Sequence, residues 1–112
     1  MLKIDQILVK ADGLARRCAG DGVPDNLLAM VLAHLRRHRE IQTTLLLLSA
    51  LPQSSFGRRT ASTRRQFTSL KRHVGEAISS LSDWEEAAWI VGWARRLARS
   101  YGDGARRQEP PR

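Results

Sequence analysis

The chain has 112 residues, enough for one small hydrophobic core and too few for two independent domains or for most enzymes with a large pocket. Apolar residues make up 42% of the sequence and charged residues 27%, which is the balance of a globular protein and excludes a wholly disordered one. Nineteen Lys and Arg against eleven Asp and Glu give a formal net charge of +8, so an anionic partner is the first functional hypothesis.

The spacing of apolar residues in the first half of the chain predicts helices. Apolar residues spaced three and four apart indicate an amphipathic helix from about Leu2 to Gly20. Pro24 suits the first turn of a second helix, because no backbone N–H is needed there. Apolar positions then continue to Leu35 and resume from Ile41 to the residue before Pro52. This periodicity does not distinguish one bent helix from two over residues 24–51.

The second half predicts a loop, two more helices and a tail. Residues 52–61 are rich in turn formers and indicate an exposed basic loop. From Ser62 a helix is expected with a core stripe and a cationic face beside it. The core stripe is Phe67, Leu70, Val74, Ala77, Ile78 and Leu81, and the cationic face is Arg64, Thr68, Lys71, Arg72 and Gly75. The S-x-x-E pattern at Ser82 predicts a capped helix ending near Tyr101, followed by a disordered tail over residues 102–112.

Together these elements predict an all-α fold, a single bundle of four or five helices over residues 1–101. The lone cysteine, Cys18, is expected to be a small buried residue, since it has no internal disulfide partner. No secretory signal opens the sequence, which favours a cytoplasmic protein. The longest apolar stretch, residues 44–51, is roughly half the length that a membrane span needs.

The positive charge is concentrated in the middle of the chain. Residues 1–35 carry four cations and four anions, and residues 73–112 carry six of each, whereas residues 36–72 carry nine cations against Glu40 alone. Sixteen of the nineteen cations are Arg, whose planar guanidinium binds phosphate through two parallel hydrogen bonds. This pattern favours contact with a nucleic-acid backbone over sequence reading, and a merely solvated basic face is the simpler alternative.

Tryptophans add a second candidate surface on the last helix. Trp89 and Trp93 lie four residues apart beside Arg96, outside the apolar arc of that helix. Such residues could stack on unpaired bases, but tryptophans at this spacing more often complete a core or a subunit contact, and we expect packing.

The sequence predicts neither a metal site nor catalysis. His34 and His38 have the i, i+4 spacing of two metal ligands, but three arginines share their turn and would repel a cation. No phosphate-binding loop, nucleophile elbow or dinucleotide fingerprint occurs. We therefore expect a protein that is not an enzyme and that has no cofactor, no metal and no catalytic residue.

Residues 61–103 resemble the small helical subunits of type III CRISPR effector complexes. The resemblance is carried by the helix start Ala61-Ser62-Thr63-Arg64-Arg65-Gln66-Phe67 and by the later segment from Trp89 to Arg99. It implies a non-catalytic bundle, active in antiviral defence, that contacts guide and target strands through residues such as Arg64, Arg65 and Arg72. It also implies other protein subunits as partners and RNA rather than DNA.

The first hypothesis is thus a nucleic-acid-binding subunit of a ribonucleoprotein complex. The candidate phosphate contacts are Arg58, Arg59, Arg64, Arg65, Lys71 and Arg72, followed by Arg36, Arg37, Arg95 and Arg99. The alternative is a protein-interaction or oligomerisation module that docks an acidic protein. A membrane-surface protein is disfavoured, because the basic helix faces lack a flanking exposed Trp or Phe.

Overall fold

The computed structural model describes residues 3–54 and 60–107, which form five α-helices. These are α1 (Ile4–Gly20), α2 (Asp25–His38), α3 (Ile41–Ala50), α4 (Ala61–Ile78) and α5 (Trp84–Arg107), with a short 3₁₀ turn at Leu51–Gln53. The described residues contain no strand. The all-helical prediction is confirmed.

Residues 24–51 form two helices, and the break between them has a local cause. Arg39 adopts the left-handed conformation, with φ 54° and ψ 36°, and its N–H donates to the Leu35 carbonyl. Glu40 is extended, with φ −151°, so α3 starts in a new direction. A left-handed residue is a common way to end a helix, but glycine usually supplies it, which is why the periodicity alone did not locate this break.

The helix ends differ from the predicted ones by small steps. Thr60 caps α4, its hydroxyl accepting from the Thr63 N–H at 3.0 Å. Asp83, not Ser82, caps α5, its carboxylate accepting from the Glu85 N–H at 2.9 Å. α5 also runs to Arg107, six residues beyond its predicted end. The rest of the predicted tail, residues 108–112, lies outside the described residues.

The core is built around α5, which packs along α1 and α2, while α4 closes against α1 and α3. Each helix contributes fully buried side chains, for example Leu14, Leu28, Leu48, Leu70 and Ile90. Burying a side chain of this size stabilises a fold by about 1.5–3 kcal/mol. The predicted core stripe of α4 is confirmed, with only Leu81 left half-buried.

Cys18 is buried in this core, as predicted. Burial raises the pKa of the Cys18 thiol to about 11. Between α1 and α5, the Tyr101 hydroxyl donates a hydrogen bond to the Asp12 carboxylate. Among the described residues, no helix is both long enough and apolar enough to cross a membrane.

Candidate nucleic-acid interface

The first half of α4 lines an open groove, which we call the α4 groove. Helical spacing brings Arg64, Thr68 and Arg72 onto one row of α4, with Arg65 and Ser69 on the next. The turn between α1 and α2 supplies the facing wall. The lining residues are Asp21, Thr60, Ala61, Arg64, Arg65, Thr68, Ser69 and Arg72. Three guanidinium groups therefore share this groove with one carboxylate.

Two of these three arginines are free to bind a ligand. Arg64 and Arg65 are exposed, and neither forms an ion pair within the described part of the chain. Arg72 is also exposed and lies 3.1 Å from an Asp21 carboxylate oxygen. An exposed pair of this kind contributes little stability, so a phosphate can take the place of the carboxylate on Arg72.

Asp21 is held at the edge of the groove by a buried histidine on α4. The Nε2 of His73 donates to Asp21 Oδ2 at 2.5 Å, the same oxygen that Arg72 contacts. This bond, followed by the charge of His73 and of Arg72, lowers the pKa of the Asp21 carboxyl. His73 itself is 6% exposed, and its Nδ1 has no hydrogen-bond partner among the described residues. Asp21 is thus a fixed anion within a cationic groove.

A second groove lies between α2 and α5, and we call it the tryptophan groove. Its lining residues are Leu32, Arg36, Trp84, Glu85, Ala88, Trp89, Gly92, Trp93, Arg95 and Arg96. It shares none of them with the α4 groove. The predicted phosphate contacts that line a groove are therefore divided between two separate grooves.

The ten predicted contact residues are distributed unequally. Arg64, Arg65 and Arg72 line the α4 groove, and Arg36 and Arg95 line the tryptophan groove. The remaining described ones are exposed but line neither groove: Arg37, Lys71 and Arg99. Arg58 and Arg59 lie outside the described residues.

The three tryptophans differ in their surroundings. Trp84 and Trp93 are partly buried against the core, and each ring is covered by a guanidinium. Packing was expected for Trp89 and Trp93; the position of Trp93 agrees with it, whereas for Trp89 the expectation of packing against the core is wrong. Arg39 lies 5.9 Å from the centroid of Trp84, and Arg96 lies 5.2 Å from that of Trp93. Trp89 is 55% exposed. A membrane-surface protein was disfavoured because the basic helix faces were expected to lack an exposed Trp or Phe. The exposed ring of Trp89, in a groove lined by arginines, contradicts that reason.

His34 forms a polar contact between helices, and His38 lies beside it on α2. The Nδ1 of His34 lies 2.9 Å from the hydroxyl of the buried Thr44, which ties α2 to α3. The two imidazole centroids are 4.3 Å apart. Partial burial, then the neighbouring His38 and Arg37, lowers the pKa of His34. Within residues 3–54 and 60–107, no three His, Cys, Asp or Glu side chains gather to bind a metal.

Asp21 and His73 were not among the sequence-predicted site residues. A signal for His73 was present, because it follows Leu70 by three residues and so falls within the apolar stripe of α4. Asp21 is brought to α4 only by the tertiary fold. No family model, curated protein or solved structure matches the chain at a significant level, so its function is inferred from the charge and geometry of the two grooves.

Proposed function

We propose that this protein is a non-enzymatic nucleic-acid-binding module whose α4 groove grips the sugar-phosphate backbone. The observation that supports this is the convergence of Arg64, Arg65 and Arg72 on one open groove, whose described lining residues include a single carboxylate. A groove with excess positive charge attracts a polyanion and releases its condensed counterions on binding. The guanidinium is also the side chain best suited to a phosphate, which it binds in a bidentate manner.

The dimensions of the groove suit a backbone rather than base edges. Arg64 and Arg72 are eight residues apart on one helix, a rise of about 12 Å. Consecutive phosphates of one strand can lie along that length, since each strand of a duplex rises about 3.4 Å along the axis per nucleotide. The groove is open and lined by side chains that suit phosphate, so the expected recognition is independent of sequence.

The resemblance of residues 61–103 to small type III CRISPR subunits extends this proposal. It places the module in a ribonucleoprotein effector complex of antiviral defence, in the cytoplasm, with RNA rather than DNA as ligand and with further protein subunits as neighbours. That assignment depends on the resemblance alone, whereas binding to a phosphate backbone follows from the charge of the groove.

A charge-reversal experiment tests the proposal. Arg64→Glu with Arg65→Glu changes the two cations of the α4 groove that form no ion pair within the described residues, so the fold should survive. At about 0.1 M salt, each lost phosphate contact should cost about fivefold in affinity for a single strand, hence about 25-fold for two before any repulsion. Lys3→Glu with Lys10→Glu, on α1, is the matched control, because it alters the net charge equally outside the groove. Equal affinity of the two double variants for RNA would contradict the proposal.

A protein-interaction module remains the second candidate, because apolar side chains are exposed at the start of α1. Ile4 is 65% exposed and Val9 72%, with Leu8 beside them. Such side chains are typical of a contact with another protein. If the wild type binds no RNA or DNA at about 50 mM salt, while the Arg64→Glu, Arg65→Glu variant loses an acidic protein partner, this second candidate replaces the first.

A further inference from the structure

The tryptophan groove is a cleft between α5 and α2. α5 contributes two small residues, Ala88 and Gly92, to its lining, and α2 contributes Leu32 and Arg36. Gly92 lies beside Leu32, since a Cβ added to Gly92 would be in van der Waals contact with a Leu32 methyl group, at 3.6 Å. The cleft has a volume of about 400 Å³, within the range of small-ligand sites.

Trp89 is the one groove tryptophan whose ring is left uncovered. The rings of Trp84 and Trp93 are occupied by the core and by arginine side chains. Trp89 is 55% exposed and has no ring or cation contact within the described residues. A large exposed aromatic surface inside a cleft is a platform for a planar ligand.

The charge of the cleft indicates that the ligand carries an anionic group. Three guanidinium groups line it, those of Arg36, Arg95 and Arg96, against the single carboxylate of Glu85. Arg96 lies over Trp93, which leaves Arg36 and Arg95 for an anion. An uncovered indole together with two available guanidinium groups complements a ligand that is aromatic at one end and anionic at the other. A nucleotide has both features.

We infer that the tryptophan groove binds one unpaired nucleotide of a single strand, with its base on Trp89 and its phosphate between Arg36 and Arg95. The nucleotide must be unpaired, because both faces of a base within a duplex are already stacked. This inference rests on the proposed function and adds a strand preference to it. The α4 groove holds backbone of either form, whereas the tryptophan groove distinguishes single strands from duplexes.

The test compares strands and ring substitutions in the full chain. A mixed-sequence 10-nucleotide RNA and a blunt duplex of the same sequence are titrated at about 50 mM salt, by anisotropy and by tryptophan emission. Trp89→Ala removes the platform, and Trp89→Phe keeps a ring without the indole emission. Leu46→Ala is the control, because Leu46 is an apolar residue of α3 that is 70% exposed and outside both grooves.

Trp89→Ala should weaken single-strand binding by about 5- to 150-fold, the range found for one stacked base. Duplex affinity should stay at the wild-type value in every variant. Trp89→Phe should retain most of the single-strand affinity while losing part of the quenching that RNA causes in the wild type. Circular dichroism should show the same helicity throughout, since Trp89 is largely outside the core.

Several outcomes would overturn the inference. Trp89→Ala could bind the single strand as tightly as Leu46→Ala does, or lose single strand and duplex equally. Anionic lipid vesicles or a second copy of the chain could require Trp89 while RNA does not, and either result would give the groove another occupant. If charge reversal in the α4 groove weakens RNA binding and Trp89→Ala does not, the proposed function stands and only this inference fails. If the wild type binds neither strand, both fail.

Discussion

Replacing Asp21 by Asn should tighten RNA binding and at the same time destabilise the fold. Asp21 is the carboxylate of the α4 groove, and one of its oxygens contacts both Arg72, at 3.1 Å, and His73, at 2.5 Å. The amide keeps the shape of the side chain and removes its charge. Arg72 is then released toward the groove, and buried His73 donates to a neutral acceptor instead of an ionised one.

The size of the binding gain follows from two contributions. Removing one negative charge about 6–8 Å from a bound phosphate should raise the affinity about two- to threefold, because their Coulomb repulsion in water is lost. One additional guanidinium–phosphate contact is worth up to about fivefold at 0.1 M salt, and it steepens the slope of log K against log salt by about 0.7 for a single strand. We therefore expect a gain between about twofold, from the charge alone, and about 15-fold, if both contributions apply in full.

The assay is a pair of measurements on the same protein, anisotropy titration with RNA and urea denaturation. The unfolding midpoint should fall, because hydrogen bonds to charged groups are stronger than neutral ones and His73 is buried. Asp5→Asn, an exposed change of equal charge on α1, should alter neither quantity appreciably. Unchanged or weaker RNA binding by the Asp21→Asn protein, with the fold intact, would refute the account of the α4 groove.

Three further predictions concern the bundle itself. Gly75→Ala should stabilise the bundle by about 1 kcal/mol in thermal denaturation, because alanine favours a helix more than glycine does and the new methyl group meets no atom within 4 Å. Gly22→Ala should destabilise it, since Gly22 has a φ of +70°, which alanine adopts at a cost. Because the pKa of the Cys18 thiol is about 11, only about one molecule in a thousand carries it as the reactive thiolate at pH 8. Ellman's reagent should therefore react readily with Cys18 only after unfolding. The hydrogen bond from Tyr101 lowers the pKa of the Asp12 carboxyl in the folded protein. The ionised carboxylate therefore stabilises the fold above the unfolded pKa, near 4, and this stabilisation is lost as the pH falls through the lower pKa of the folded state. Tyr101→Phe should therefore lose less stability than the wild type as the pH falls below about 4 in urea denaturation, and an identical acid response would contradict this.

The fold was predictable where periodicity is strong. The stripe of α4 indicated its buried residues, because residues three and four apart share a helix face. The break at Arg39 was not predictable, since it depends on a left-handed arginine where glycine is usual. Similarly, Ser82 and Asp83 were both able to cap α5, and only the path of the chain determines that Asp83 does so.

The candidate site was predictable only in part. Helical spacing alone brings Arg64 and Arg72 onto one row of α4. It does not indicate that Arg36 and Arg95 form a separate groove, because they come from helices far apart in the sequence. Asp21 reaches Arg72 across 51 positions of the chain, so the ion pair within the groove depends on tertiary structure.

The most direct measurement is the salt dependence of RNA affinity for the wild type and for Arg64→Gln with Arg65→Gln. If five to eight cations meet phosphates, log K should fall with log salt at a slope of about −4 to −7 for a duplex and about −3.5 to −5.5 for a single strand. Loss of the two α4 arginines should reduce the slope by about 1.4 for a single strand. A flat salt response of the wild type, or an unchanged slope in the variant, would contradict the central claim that the arginines of α4 bind phosphate.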